Sequence, residues 1–322
     1  MEKNIKLTLL DNGIDYIYAA VKPMLKKSSQ SKDSWKYSVL HLYSGIQLLL
    51  KERLKQEHWS LIFQKIEEAN LEKLESGDFV SVYHDVLIKR LKNIIPSFNF
   101  NDEPVKKLQS LRNKIEHFEV NVSLSECQYT VALALDEIIK FWKTDLKINS
   151  TVKQQQKFQR IKSIATEFKV YRKQRLDKFK GEIDGIETSE NGLRVLCPDC
   201  SSLSFVVFKN DVKECQCFVC DEKYNKHDYL KKIREVVEDE PYKTICSSCQ
   251  EETRIKYVLK DGVTLYCCLN CLKYELIDPE FEKRFSHTTW EDIFTMEKHK
   301  YTVDEFYKIQ LDKQRRMYLG KE

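Results

Sequence analysis

The chain has 322 residues, of which 42% are hydrophobic, so it is long enough for two or three domains and apolar enough to form real cores. Its formal net charge of +4 is too small to indicate nucleic-acid binding by itself. No apolar run approaches the roughly 18 residues of a membrane span, and the first residues lack the apolar core of a signal peptide. We therefore expect a cytoplasmic protein with no membrane partner.

The first part of the chain carries the apolar spacing of amphipathic helices. Four segments show this spacing, at 8–26, 35–66, 78–95 and Leu124–Leu146. The second segment has a broad apolar face, which suits the centre of a helical bundle. This face consists of Val39, Leu42, Tyr43, Ile46, Leu49, Leu50 and Leu54. We therefore expect a helical bundle over residues 1–150.

A further helix is predicted over a short run that combines an apolar stripe with polar residues. The stripe recurs at intervals of three, four and three residues, at Leu108, Leu111, Ile115 and Phe118. The polar residues therefore face away from the core. Asn113 and His117 sit together on the polar side, and Arg112 flanks that side from the opposite edge. An Arg and a His at the two edges of a cleft can grip a phosphate and transfer protons beside it.

The spacing from Arg112 to His117 is weak evidence when it is taken alone. Arg53 and His58 have the same spacing. Arg112 and Glu116 are also four residues apart, so they can form an ordinary salt bridge on a solvated helix, with His117 as an unremarkable surface residue. Periodicity alone favours this second interpretation.

Two segments of the chain resemble the HEPN family of helical domains. Arg112-Asn113-x3-His117 resembles the family motif, in which an Arg and a polar residue precede a His by a few positions, and 40–54 looks like the second helix of the family. The resemblance covers residues 1–150. It implies a four- or five-helix domain that pairs with a second copy, so that both motifs line one cleft. Active members are metal-independent endoribonucleases.

The resemblance also implies roles for the polar residues in RNA cleavage. The 2′-hydroxyl of RNA can attack the adjacent phosphorus once a base removes its proton. His117 would be the general base or acid, and Arg112 would be the bidentate clamp on the phosphorus oxygens. Asn113 would orient the phosphate or the other copy's His117. The products would be a cyclic phosphate and a 5′-hydroxyl end, without a catalytic metal.

Residues 151–190 are predicted to form a basic helical linker. Between 151 and 180, ten Lys and Arg residues stand against two acidic residues. An apolar stripe continues through Phe158, Ile161, Ile164, Phe168, Tyr171 and Phe179. The stripe favours a helix that docks on the bundle or on a second copy, whereas the basic face would also suit an RNA backbone. The run 181–185, with Gly at both ends, is expected to end this helix and to mark a domain boundary.

Ten of the eleven cysteines lie between Cys197 and Cys271, mostly as Cys-x2-Cys pairs. In a reducing compartment this distribution indicates a metal. Two such pairs supply the four thiolates that zinc prefers, so we predict two structural Zn²⁺ sites. The first site comprises Cys197, Cys200, Cys217 and Cys220, and the second comprises Cys246, Cys249, Cys268 and Cys271. With four sulfurs each, the sites are closed and have no position for a catalytic water.

Two neighbouring cysteines leave the ligand sets open, because Cys215 can replace Cys217 and Cys267 can replace Cys268. The segments around the pairs predict short strands and a helix, which is the pattern of zinc ribbons. The strands are expected at 204–208, 254–259 and 263–266, and the helix at 226–237. Asp261 and Gly262 give a hairpin signal between the last two strands.

The predicted fold class is therefore mainly α, with two small β modules. After the bundle and the linker come zinc ribbon 1 over 191–240, zinc ribbon 2 over 241–275 and a helical tail over 276–322. The first functional hypothesis is a HEPN-type endoribonuclease that resembles toxins and anti-phage effectors. Its expected partners are RNA, a second copy, and an antitoxin or defence-system component. The alternative is a non-catalytic dimer that presents zinc ribbons to nucleic acid or to a protein.

Overall fold

A computed structural model describes residues 7–25, 32–119, 121–189, 192–208, 214–237, 245–246, 248–258, 264–272 and 274–277. The described part of the chain is mainly helical, which confirms the predicted fold class at this level. It divides into a helical unit, Met1–Gln174, and a cysteine-rich unit, Arg175–Glu322. Among the described residues, none of the helices is both long enough and apolar enough to cross a membrane.

The helical unit contains seven complete α-helices and the start of an eighth within its described residues. These are α1 (Leu9–Val21), α2 (Lys32–Glu57), α3 (Leu71–Ser76), α4 (His84–Ile94), α5 (Glu103–His117), α6 (Leu124–Phe141), α7 (Val152–Glu167) and α8 (Lys169–Thr188). A π-helical turn, Trp142–Leu146, follows α6 directly. The boundary between the two units falls within α8.

Helix α2 is the central element of the helical unit and contacts α1, α4, α5 and α6. Its predicted apolar face is confirmed, since six of the seven residues are buried and Tyr43 is partly buried. The crossing with α1 is close because Gly13 and Gly45 face each other. A Cβ at Gly45 would lie 2.6 Å from Ile17 and 2.9 Å from the carbonyl oxygen of Gly13.

The basic segment that follows α6 begins as part of the helical core. Phe158, Ile161 and Ile164 of α7 are buried in the same cluster as α2 and α6. The Trp142 ring stacks on Phe158 with ring centroids 4.2 Å apart, and Gln154 donates a hydrogen bond of 2.8 Å to Asp11 of α1. The expectation that this apolar stripe docks on the bundle is therefore confirmed for α7.

The prediction that the run 181–185 ends the helix was wrong, because α8 continues to Thr188. A glycine inside a helix costs up to about 1 kcal/mol relative to alanine. Ile183, between the two glycines, is buried against Val206 and Phe218 of the cysteine-rich unit. Burial of such a side chain contributes about 1.5–3 kcal/mol, which offsets most or all of the cost of the glycines.

The cysteine-rich unit contains two antiparallel sheets and one further helix within its described residues. The first sheet has the order β1 (Gly192–Leu196), β2 (Leu203–Phe208), β3 (Cys215–Cys217) and β4 (Lys223–Tyr224). The second has the order β5 (Arg254–Val258), β6 (Thr264–Cys268) and β7 (Tyr274–Ile277). Helix α9 (Lys226–Val237) matches its predicted bounds. Ile255 and Leu269 share one buried cluster with Tyr229 and Ile233 of α9, so the two modules have a common core.

Two other predicted helices differ from the structure. Residues 80–82 precede α4 in an extended conformation and pair with the segment at 62–64, so the helix expected over 78–95 begins only at His84. The first two residues of the expected helical tail, Leu276 and Ile277, lie in β7 opposite Leu265 and Thr264. The rest of that tail, and the turn at Asp261 and Gly262, lie outside the described residues.

Two Gly→Ala substitutions, one at the α1–α2 crossing and one in α8, should have opposite effects on stability. Gly45→Ala should lower the free energy of unfolding by about 1–2 kcal/mol, because overpacking at the α1–α2 contact outweighs the gain in helix propensity. Gly185→Ala should instead raise it by about 0.5–1 kcal/mol, since among the described residues no atom beyond the helix's own backbone lies within 4 Å of a Cβ at that position. Urea unfolding of the full chain, followed by circular dichroism, measures both changes. A Gly45→Ala variant as stable as the parent would show that the crossing can relax.

Candidate functional site

The eight predicted ligands lie on four short turns, and each turn carries one Cys-x2-Cys pair. In three turns the N–H of the first cysteine donates to the carbonyl five residues later, over 2.9 Å each, from Cys197 to Ser202, from Cys217 to Glu222 and from Cys246 to Glu251. After the second cysteine, every turn has a left-handed residue, at Ser201 (φ 52°), Asp221 (φ 57°), Gln250 (φ 60°) and Leu272 (φ 56°). Residues other than glycine rarely adopt this conformation. Its fourfold recurrence indicates one shared turn geometry.

The turns bring the cysteines together in two clusters of four. The Sγ atoms of Cys197, Cys200, Cys217 and Cys220 lie within 4.8 Å of one another, and so do those of Cys246, Cys249, Cys268 and Cys271. Both groups could hold a metal ion, and both have the membership that the sequence predicts.

The separations between sulfurs fit a tetrahedral ion. In the first cluster Sγ of Cys197 lies 3.5 Å from that of Cys220, and Sγ of Cys200 lies 3.7 Å from that of Cys217. The corresponding pairs of the second cluster are 3.6 Å and 3.5 Å apart. Metal–sulfur bonds of about 2.3 Å in a tetrahedron require sulfurs about 3.8 Å apart. These four separations lie within about 0.3 Å of the tetrahedral value.

Hydroxyl and amide groups, which the cysteine spacing does not predict, lie next to the sulfurs. Ser202 and Ser204 place their Oγ atoms 3.0 Å from the Sγ atoms of Cys200 and Cys217, respectively. The N–H of Cys220 donates to Sγ of Cys217 over 3.3 Å. In the second cluster Thr253 Oγ1 lies 3.2 Å from the Sγ of Cys268. Such contacts stabilise thiolates and orient them as ligands.

Of the two neighbouring cysteines, Cys217 is the one whose Sγ belongs to the first cluster of four. Cys215 is buried in the same apolar core as the four cysteines of this cluster. Cys268 belongs to the second cluster, while the side chain of Cys267 lies outside the described residues. Cys127 is buried in the helical core, where burial raises the pKa of its thiol.

Arg175 supports the second turn of the first cluster, a role that the sequence did not reveal. It is almost fully buried, its Nε donates to the carbonyl of Phe218 over 3.0 Å, and its Nη2 pairs with Asp221 over 2.5 Å. Its guanidinium also lies 4.8 Å from the centre of the Phe179 ring. One of the ten basic residues between 151 and 180 thus stabilises the protein itself.

The predicted catalytic residues form one cluster at the C-terminal end of α5. Arg112 Nη1 donates to Asn113 Oδ1 over 3.0 Å, and Arg112 Nη2 lies 2.5 Å from Glu116 Oε2. The same Glu116 oxygen lies 3.8 Å from Nε2 of His117. The salt bridge that the second interpretation of this helix predicts is therefore present. His117 has a side chain that is 61% exposed, so it is accessible to a ligand.

Tyr43 of α2 is a further member of this cluster. The Arg112 guanidinium lies over its ring, 5.6 Å from the ring centre, and the two groups form a cation–π contact. Burial raises the pKa of Tyr43 to about 12, although the charge of Arg112 opposes this. Periodicity alone predicts only a packing role for Tyr43, as one residue of an apolar face. The signal that could have revealed more was the hydroxyl-bearing side chain among aliphatic ones.

A buried polar network beneath the cluster joins α2, α4 and the start of α5. His84 Nε2 lies 2.7 Å from Asp102 Oδ1, and Gln47 Nε2 lies 2.6 Å from His84 Nδ1. Lys106 pairs with the second oxygen of Asp102 over 3.2 Å. Burial opposes ionisation of Asp102, but the hydrogen bonds from His84 and Lys106 hold its pKa below its usual value. This network fixes the N-terminus of α5 against α2.

Phe118 departs from the predicted apolar stripe. Leu108 and Leu111 are buried and Ile115 is partly buried, but α5 ends at His117 and the Phe118 side chain is 75% exposed. The backbone of Phe118 is extended (φ −140°, ψ 167°), so its side chain leaves the direction of the stripe. An exposed aromatic ring thus lies next to the polar cluster in sequence.

Arg53 and His58, which have the same spacing, are engaged in structural contacts. Arg53 is only 15% exposed and pairs with Glu57 over 2.6 Å and with Asp145 over 3.8 Å. His58 caps a short 3₁₀ helix, accepting a hydrogen bond from the N–H of Ser60. This pair therefore does not form an open polar site.

Comparison of the chain with models of protein families, with curated proteins and with solved structures finds no match. The comparisons therefore do not support the HEPN resemblance, which rests on the segments at 40–54 and 112–117 alone. What the structure supports is a mainly helical protein with two four-cysteine clusters that could hold metal ions.

Ligand assignment in the first cluster can be tested with two neighbouring cysteines. Cys217→Ser should reduce the metal content from two ions to one per chain, because it removes a ligand. Cys215→Ser is the matched control, since it makes the same chemical change two residues away and should keep both ions. Elemental analysis of the purified full-length variants measures the ratio. Loss of an ion from Cys215→Ser with retention in Cys217→Ser would reverse the assignment.

Proposed function

We propose that the helical unit is a metal-independent endoribonuclease of the HEPN type. The observation that carries this proposal is the grouping of Arg112, Asn113 and His117 at one accessible helix end, with a carboxylate oxygen within 2.5 Å of the Arg and 3.8 Å of the His. A phosphate oxygen is negatively charged, as that carboxylate oxygen is, and would contact the same two side chains, Arg112 and His117.

In this proposal the cleavage of RNA uses groups of the chain and of the substrate alone. His117 takes the proton of the 2′-hydroxyl or supplies one to the leaving 5′-oxygen. Arg112 donates two hydrogen bonds to the non-bridging oxygens as negative charge develops on them. The contact with Tyr43 supports this role, because it restrains the guanidinium. Asn113 orients the phosphate or the His117 of a second copy.

The proposed enzyme acts as a homodimer through the helical unit. Two copies of the motif around one cleft would provide two Arg and two His side chains, so that one His can act as base while another acts as acid. The exposed ring of Phe118 supports pairing at this end of α5, because a second copy would remove it from water.

We further propose that both four-cysteine clusters bind Zn²⁺ in structural sites. Tetrahedral sets of four sulfurs suit zinc or iron, and four protein ligands leave no position for a catalytic water. Zinc would stabilise the turns and the short strands between them. The elemental analysis that counts the ions also identifies them, and a colourless protein with bound zinc agrees with this proposal.

The biological setting proposed for the enzyme is a toxin or an anti-phage defence effector in the cytoplasm. The zinc modules would then recognise a trigger or deliver RNA, and an antitoxin or a defence-system component would restrain cleavage. The basic residues of α7 and α8 are candidate contacts for the RNA backbone, with the exception of the buried Arg175.

A non-catalytic dimer that presents zinc ribbons to nucleic acid or to a protein is the second candidate. The specific observation in its favour is the Arg112–Glu116 salt bridge, which is an ordinary contact of a solvated helix. In that case the α5 cluster has no reaction to perform.

RNA cleavage in the presence of EDTA distinguishes the two candidates. The parent protein should cut total RNA, whereas Arg112→Ala and His117→Ala should each be slower by a hundredfold or more, on the order expected for lost acid–base or oxyanion stabilisation. A 2′-deoxyribose at the cut site should block the reaction. Products are identified by their cyclic phosphate and 5′-hydroxyl ends.

His58→Ala is the control for the second residue pair with the same spacing, and it should cut RNA at the parent rate once folding is verified. Its small loss of stability, on the order of 1 kcal/mol for a helix cap, is measured separately. If Arg112→Ala and His117→Ala both cut RNA as fast as the parent, the cluster on α5 is not the active site.

Pairing of two chains at the end of α5 makes a prediction for Phe118→Glu. The parent should sediment as a dimer, and this variant should sediment as a monomer, because a charge would be buried in the interface. Ile148→Glu is the matched control, since Ile148 is 87% exposed and lies outside α5. Sedimentation velocity at several concentrations measures the association. A parent that stays monomeric throughout, or a Phe118→Glu variant that stays dimeric, would contradict the proposed interface.

A further inference from the structure

The Glu116 carboxylate occupies the space between the two groups that are proposed to bind phosphate. Its Oε2 atom lies 2.5 Å from Arg112 Nη2 and 3.8 Å from His117 Nε2. Both distances are to the same carboxylate oxygen, and the three residues lie within the last two turns of α5. A negatively charged oxygen that pairs with a guanidinium and lies close to an imidazole is where an oxygen of a bound phosphate would be expected.

We propose that Glu116 is an internal competitor for a phosphodiester-binding site formed by Arg112 and His117. In the free protein its carboxylate fills the anion position, and the phosphodiester of an RNA strand has to displace it. This inference rests on the proposed function for the identity of the anion. It adds to that function a residue that sets the affinity for RNA.

Displacement of Glu116 costs little free energy because the salt bridge is partly exposed to solvent. The side chains of Arg112 and Glu116 are 32% and 31% exposed, and ion pairs in such positions contribute about 0.2–1 kcal/mol. A phosphodiester offers two non-bridging oxygens to the planar guanidinium, so it can replace one hydrogen bond with two. The exchange therefore favours the substrate once an RNA strand is held nearby.

Tyr43 allows the binding site to persist when Glu116 leaves. The guanidinium of Arg112 lies over the Tyr43 ring, and its Nη1 also donates to Asn113. These two contacts do not involve Glu116. Arg112 therefore stays restrained after Glu116 leaves. Its side chain loses less conformational entropy when RNA binds.

Binding of an RNA that cannot be cut tests this inference without relying on catalysis. The probe is a fluorescently labelled oligonucleotide with 2′-O-methyl riboses, and its anisotropy reports the Kd. Glu116→Gln keeps the shape of the side chain and removes its charge, so it should bind about three- to fivefold more tightly, as expected for loss of an exposed ion pair. Glu119→Gln makes the same change in net charge three residues later and should stay close to the parent.

The tighter RNA binding of Glu116→Gln must also depend on Arg112. In an Arg112→Ala background, Glu116→Gln should no longer tighten binding, because the group released by the substitution is absent. The inference is overturned if Glu116→Gln binds no more tightly than Glu119→Gln, or if its advantage persists without Arg112.

Parallel cleavage assays keep this inference separate from the proposed function. If Arg112 and His117 are needed to cut RNA but Glu116→Gln changes neither Kd nor KM, the nuclease stands and the internal competitor is refuted. If neither the parent nor any variant cuts RNA, but Glu116→Gln still binds RNA more tightly in an Arg112-dependent way, the internal competitor stands and the nuclease is refuted.

Discussion

Burial of α2 is the constraint on which the helical unit depends. Neighbouring helices cover its apolar residues, and the approach of α1 is possible because Gly13 and Gly45 have no side chains at the crossing. The same helix presents Tyr43 to Arg112 and Gln47 to the network of His84 and Asp102. The position of the polar cluster on α5 is thus determined by a helix that carries none of the proposed catalytic groups.

The cysteine-rich unit is held together on a different principle. Its strands have two to six residues, and isolated sheets of such strands are marginal in water. Four turns with the same backbone geometry bring eight sulfurs into two clusters, around which Ile255, Leu269 and the residues of α9 form a common core. Ions bound there would link segments far apart in sequence, so metal binding and folding of this unit would be coupled.

Local rules predicted those parts of the structure that depend on local geometry. The apolar face of α2, the bounds of α9 and the grouping of the Cys-x2-Cys pairs in two clusters followed from periodicity and spacing, whereas spacing left the choice between Cys215 and Cys217 open. The errors arose where distant residues decide the outcome. Ile183 carries α8 through two glycines because it is buried against Val206 and Phe218, and the extended pairing of Val82 delays the start of α4. The contact between Tyr43 and Arg112 joins residues far apart in sequence, so the periodicity that places each residue on its helix does not pair them.

The left-handed residues that follow the second cysteine of each turn affect the unfolded chain as well as the folded one. Ser201, Asp221, Gln250 and Leu272 occupy positions where glycine would be less strained. A glycine, however, would let the unfolded chain explore many more conformations. These four residues therefore strain the backbone locally, but the chain loses less conformational entropy on folding than it would with glycine at the same positions.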